Sequence, residues 1–126
     1  MNKIDWRLCL VADMDAAMGR NLTVVVSEAV AGGVTCVQLR AKHLNGGPFL
    51  LLAERLTALL HPKNIPLIIN DRVDVAAAGK CQGVHLGQDD LPVSAAREIL
   101  GKIAVIGVSV NTVEEARTAE KEGADY

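Results

Sequence analysis

The feature that most restricts this chain is a regular alternation of short β-branched runs with helical stretches along its whole length. Leu8-Cys9-Leu10-Val11-Ala12 reads as a strand ending at Asp13, and a helix from about Thr23 to Ala31 follows, stopped by Gly32-Gly33. Cys36-Val37-Gln38-Leu39-Arg40 is the second strand. After the turn-forming Asn45-Gly46-Gly47-Pro48 comes a helix whose Leu52, Leu56, Leu59 and Leu60 make one apolar stripe. Pro66 to Asn70, Gly83 to Leu86 and Ala104 to Ser109 are the third, fourth and fifth strands. Between and after them lie helices over Val73 to Ala78, Val93 to Leu100 and about Thr112 to Glu122, the last with Glu114 and Glu115 in its first turn. Gly123-Ala124-Asp125-Tyr126 resembles the beginning of a sixth strand. Such alternation with short connections predicts an α/β fold with a parallel sheet and right-handed crossovers. Periodicity leaves open whether the units wind into a barrel or an open sheet. No GxGxxG follows the first strand and no GxxxxGK[ST] occurs, so the two commonest nucleotide-binding open sheets lose support.

The 126 residues allow one domain, 1–126, and fall short of the ~250 that a complete (β/α)₈ barrel typically uses. Half the residues are hydrophobic, which excludes a disordered chain. With 13 basic against 15 acidic residues, the net charge of −2 offers no footprint for nucleic acid or an anionic membrane surface. No secretory signal is visible at Met1-Asn2-Lys3-Ile4-Asp5-Trp6, and no apolar run approaches membrane-spanning length. Cys9, Cys36 and Cys81 make no metal or redox spacing. Buried thiols and a cytoplasmic location are the expectation.

Polar residues gather where the strands end, the edge that carries chemistry in parallel α/β folds. In Gln38-Leu39-Arg40-Ala41-Lys42, alternation points Gln38, Arg40 and Lys42 one way and Leu39 and Ala41 the other. An amide and two cations on one face suit an anionic ligand, against the alternative of a solvated strand terminus. Asn70-Asp71 and Gly87-Gln88-Asp89-Asp90 close adjacent strands, placing acids on one rim. They could hold Mg²⁺ beside a phosphate, or simply make turns and cap the next helix. Ser109 shares a face with Gly107, which leaves room for a ligand. Asn111 reads equally well as a helix cap. His85 reads as a hydrogen-bonded core histidine rather than a base, and no nucleophile–histidine pair is expected.

Together, Leu10-Val11-Ala12-Asp13, Gln38 to Lys42, Ile69-Asn70-Asp71-Arg72, Gly83 to Asp90, Gly107-Val108-Ser109 and the final Gly123 to Tyr126 resemble thiamine-phosphate synthase. The match extends over nearly all of this chain and the first three-fifths of such an enzyme. It implies a (β/α)₈ TIM-type barrel, here five βα units and the start of a sixth strand. The implied reaction is Mg²⁺-dependent joining of hydroxymethylpyrimidine diphosphate to hydroxyethylthiazole phosphate, giving thiamine phosphate and diphosphate. By the resemblance, Asp71 and Asp90 hold Mg²⁺, while Arg40, Lys42 and Asn70 contact the diphosphate. Gln38 then orients the pyrimidine, and Ser109 meets the diphosphate or the pyrimidine amine.

Three residues depart from the family pattern: Ala41 replaces an acid, Cys9 stands where an aromatic is common, and Asn111 replaces a frequent histidine. The family's later phosphate loops, which bind the thiazole phosphate, fall beyond Tyr126. The expectation is therefore a partial barrel that is active or holds only the diphosphate half-site as a non-catalytic remnant, with self-association covering the open face. The related thiazole tautomerase is the other alternative, and it tends to lack the Gln-x-Arg-x-Lys and paired-Asp set.

Overall fold

The computed structural model describes residues 3–126. Five strands, β1 (Cys9–Asp13), β2 (Cys36–Arg40), β3 (Leu67–Asn70), β4 (Gly83–Leu86) and β5 (Val105–Val108), pair in parallel in the order β1-β2-β3-β4-β5. Each is followed by a helix: α1 (Leu22–Ala31), α2 (Gly46–Leu60), α3 (Val73–Ala78), α4 (Val93–Leu100) and α5 (Val113–Lys121). This order decides what periodicity left open. A doubly wound sheet reverses direction at a switch point, whereas a barrel wall adds every strand beside its predecessor. The chain is thus an arc of barrel wall, and the sheet does not close.

Residues 125–126 continue the arc. Asp125 N–H donates to the carbonyl of Ile106 at 2.7 Å, and Val108 N–H donates to that of Tyr126 at 3.0 Å, so this segment runs beside β5 without the regular ladder of a sixth strand. Arg97 on α4 secures this corner. Its guanidinium donates to the carbonyls of Gly101, Ala104 and Gly123 and pairs with the Asp125 carboxylate at 2.9 Å.

The main core lies between the sheet and its helices. Val37, Leu39, Leu67, Ile69, Val84, Leu86 and Ile106 meet Phe49, Ala53, Leu56 and Leu60 of α2 and the apolar faces of the other helices. The buried stripe of α2 therefore runs Phe49-Ala53-Leu56-Leu60, with Leu52 and Leu59 only partly buried. This helix also begins inside the expected turn, because Pro48 falls in its first turn, where a missing N–H costs nothing. Gly33, with φ 111°, ends α1 in the left-handed conformation that glycine adopts freely.

The opposite, inner face of the sheet has a smaller cluster: Cys36, Ile68 and Val105, with Ile4 against them. Above it the Tyr126 ring lies over Gly107 and packs on Trp6, with ring centroids 4.3 Å apart. Of the three thiols expected to be buried, only Cys36 is; Cys9 is exposed because β1 is an edge strand, and Cys81 is intermediate. Among the described residues, no helix is long and apolar enough to cross a membrane.

Two inner-face glycines separate backbone from side-chain constraint. A Cβ at Gly83 would run into the Val105 backbone of the neighbouring strand, while one at Gly107 would meet only the Tyr126 ring, which can swing aside. Gly83→Ala should therefore cost about 3 kcal/mol in urea unfolding, and Gly107→Ala less than half of that.

Candidate functional site

The parallel register carries the carboxyl-terminal residues of all five strands to one edge. Asp13 lies opposite Arg40, and Asn70 opposite His85. Arg40, Lys42, Asn70, Asp71, His85, Gly87, Gln88, Asp89, Asp90 and Ser109 together line an open cleft of about 290 Å³. Six of the seven residues singled out from sequence meet here. Gln38 does not line the cleft; it lies one pleat lower on the same face, opposite Val11 and Ile68. Ala41 turns into the core, as alternation required.

Arg40 is not a free cation. It forms an ion pair with Asp13, which the sequence reading treated only as the end of β1. Burial works against the Asp13 carboxylate, but hydrogen bonds from the Asp15 and Ala16 backbone and from Arg40 outweigh it and hold the group below its ordinary pKa. The only sequence signal for this pairing was a shared parity on two strands, which becomes a contact only once their register is known.

Asp71 sits in the left-handed region, φ 65°, at the tip of a turn in which Arg72 N–H donates to the Asn70 carbonyl at 2.8 Å. Its own N–H donates to the His85 carbonyl at 2.8 Å, locking the turn to β4. Such a conformation is costly for a residue with a Cβ, and here it carries the carboxylate into the cleft. Burial, then the Asp90 carboxylate within hydrogen-bonding reach, raise the Asp71 pKa; Lys42, 3.8 Å away, and Arg40 oppose this without cancelling it. The Asp90 carboxylate also accepts from Gly87 N–H at 2.7 Å, closing the loop after β4. Neither Asp89 nor Asp90 caps α4, because that position belongs to Pro92. Asn70, the one buried polar side chain among the described residues, is 8% exposed and faces the same cleft.

His85 overturns one expectation. Its Nε2 lies 2.7 Å from Ser109 Oγ, so a hydroxyl–imidazole pair does exist, and its Nδ1 lies 3.1 Å from the Tyr126 hydroxyl. Burial lowers the His85 pKa against the pull of Asp90, which favours the neutral ring. With no third group activating the serine in the manner of a hydrolase, the pair orients Ser109 within the cleft. Gln88 Nε2 donates to the Ser109 carbonyl at 2.9 Å and steadies the same strand end. Asn111 is not the cap of α5; Thr112 is, its Oγ accepting from Glu115 N–H at 3.1 Å while Glu115 reaches back to Asn111 N–H at 2.6 Å.

Among the described residues, no three metal-ligating side chains converge. The Asp71 carboxylate, whose ionisation the neighbouring Asp90 opposes, lies with it beside Lys42 and Arg40, and this set instead fits an ion that takes part of its coordination from a phosphate.

Comparisons with known proteins agree with this geometry. Residues 8–126 match the family profile described as thiamine monophosphate synthase. The thiamine-phosphate synthase of Clostridium tetani is 46% identical over 123 residues, covering 98% of this chain and 59% of its relative. That of Albidiferax ferrireducens is 57% identical over 115 residues, covering 90% and 52%. The solved thiamine phosphate pyrophosphorylase from Pyrococcus furiosus superposes with a TM-score of 0.86 at 36% identity, over 94% of this chain and 57% of that one. The chain thus spans somewhat more than half the length of these relatives, and it belongs to the thiamine monophosphate synthase family.

The raised Asp71 pKa has a consequence for stability. A carboxyl of this kind favours the folded state while protonated, and that contribution is lost as pH rises through its folded pKa. At neutral pH ionised Asp71 is therefore a net cost in metal-free protein. Asp71→Asn, which also suits a positive φ, should raise the metal-free Tm at neutral pH by roughly 2–4 °C, with the gain fading as pH falls to the ordinary aspartate range.

Proposed function

We propose that this member of the thiamine monophosphate synthase family carries the magnesium–diphosphate half of a thiamine-phosphate synthase site. The reaction is condensation of hydroxymethylpyrimidine diphosphate with hydroxyethylthiazole phosphate, yielding thiamine phosphate and diphosphate. The observation that carries this reading is the meeting of Asp71 and Asp90 beside Lys42 and Arg40 at one end of the parallel sheet.

In this reading Asp71 and Asp90 hold Mg²⁺, which when bound neutralises charge building on the departing diphosphate. Lys42 and Arg40 supply fixed positive charge to the same oxygens, and the ion pair with Asp13 keeps the Arg40 guanidinium aimed along the cleft. Asn70, nearly buried, offers amide hydrogen bonds from the floor. Ser109, oriented by His85, meets the diphosphate or the pyrimidine amine. Gln38, below the cleft on the same face, meets the ring of the pyrimidine. No strong base is needed, since the leaving group carries away the bonding electron pair and the thiazole nitrogen supplies its own. Neutral His85 is consistent with that chemistry.

Calorimetry with the pyrimidine diphosphate and Mg²⁺ tests the ligand assignment. Asp71→Ala and Asp90→Asn should each weaken Mg²⁺-dependent binding on the order of 10- to 100-fold, the loss expected for a charged contact. The asparagine at 90 keeps an acceptor for Gly87 N–H, so the loop survives the loss of charge. Asp89→Ala, at an exposed rim position, should change affinity by less than about threefold. Equal losses at Asp89 and Asp90 would refute the assignment. Adding the thiazole phosphate then separates two readings: product means a complete site, while binding without product means a half-site.

A further inference from the structure

Cys9 and Cys36 are the first residues of β1 and β2 and stand directly opposite one another in the parallel register. Cys36 packs on the inner face with Ile68, Val105 and Ile4, whereas its neighbour Val37 packs on the helix side. Register partners in a parallel pair point to the same side, so both thiols project inward from adjacent strands. As register partners they are neighbours, and their exposure differs sharply: Cys9 is open to solvent and Cys36 is 0% exposed. The cleft lies at the other end of these strands, about 13 Å away along four residues. Nothing in the proposed reaction uses a thiol.

We propose that Cys9 and Cys36 are an oxidisable dithiol, a modification site at the amino-terminal end of the sheet that a peroxide converts to an internal disulfide. Adjacent strands lie ~4.8 Å apart, inside the ~4.4–6.8 Å between Cα atoms that a disulfide spans. Because the two Cα–Cβ bonds run side by side rather than converging, the bond is strained and easily reduced again, as reversible disulfides are. The roles follow from exposure and charge. The neighbouring Cys36 thiol brings the Cys9 thiol down to about 7, while Cys9 and burial push Cys36 up. Cys9 is therefore the thiolate that meets the oxidant, and Cys36 resolves it.

The chemistry balances with hydrogen peroxide as oxidant. Cys9 thiolate attacks one peroxide oxygen; the O–O bond breaks, giving the Cys9 sulfenic acid and releasing the other oxygen as hydroxide, which becomes water with the proton that the Cys9 thiol gave up on ionising. Cys36 sulfur then attacks Cys9 sulfur, the S–O bond breaks, and a second water leaves with the Cys36 proton. Two thiols lose two electrons and two protons, and the peroxide is reduced to water. Cys81 is the internal control, because burial raises its pKa to about 11.

The test exposes the reduced whole chain to stoichiometric hydrogen peroxide, then reads intact mass and alkylation under denaturing conditions. The mass should fall by two hydrogens, leaving one of the three thiols free, mapped to Cys81, and a thiol reductant should restore all three. Cys36→Ser should stop at a Cys9 sulfenic acid that a dicarbonyl reagent traps, and Cys9→Ser should form no disulfide. In the unoxidised chain Cys9 should alkylate on the order of 100-fold faster than Cys81, after allowing for the lower nucleophilicity of the more acidic thiol. Oxidation of Cys81 alongside Cys9, a covalent dimer through Cys9, or an inert Cys9 would each overturn the proposal. The wild-type mass measurement stands whether or not a serine variant folds.

Discussion

Everything in this molecule depends on the pairing of successive parallel strands. A strand buried on both faces cannot leave its N–H and C=O groups unsatisfied, so each must lie against another strand. Parallel pairing then demands a crossover, and the helices that make it cover one face of the sheet. Because the order is sequential, every strand delivers its carboxyl-terminal residue to the same edge. The main core and the cleft are two results of this one arrangement: alternate residues of β2 enter the helix-side core at Val37 and Leu39, while Gln38 and Arg40 face the inner side.

At that edge the energetics favour a ligand more than the unliganded fold. Asp71 accepts a left-handed backbone and a neighbouring carboxylate, both of which cost stability. Lys42 and Arg40 offset the repulsion in part, and Arg40 is itself committed to Asp13. Groups so placed gain from a cation shared with an anionic substrate. Among the described residues, the opposite end of the same strands carries the apolar packing around Ile68 and Val105 and the facing Cys9 and Cys36 in place of that cluster.

Much of this was legible in the sequence, and the reasons are local. Strand limits at Cys36–Arg40 and Gly83–Leu86 follow from short β-branched runs bounded by turn residues, and the structure places them where expected. The cleft residues Arg40, Lys42, Asn70, Asp71, Asp90 and Ser109 were legible because strand ends and side-chain parity are properties of the chain itself. What escaped involved partners distant along it. Asp13 and Arg40 are 27 residues apart, and His85 and Tyr126 are 41 apart. No local pattern announces either contact. The stripe of α2 shifted from Leu52 and Leu59 to Phe49 and Ala53 for the same reason: several faces of a leucine-rich helix are apolar, and only the sheet beneath selects one. Cys9 was misjudged as buried because composition cannot say that β1 is an edge.

The order of residues along the chain is enough to give the βα alternation, the inward parity of the site residues and the family to which the chain belongs. These rest on local propensity, period and residue order, which need no knowledge of neighbours. Folding in three dimensions is what makes the strands follow one another as a barrel wall, holds Arg40 on Asp13, brings Asp71 and Asp90 into one cleft and pairs His85 with Ser109. Each of those depends on register between strands, and register is set by the whole buried face at once rather than by any segment of it.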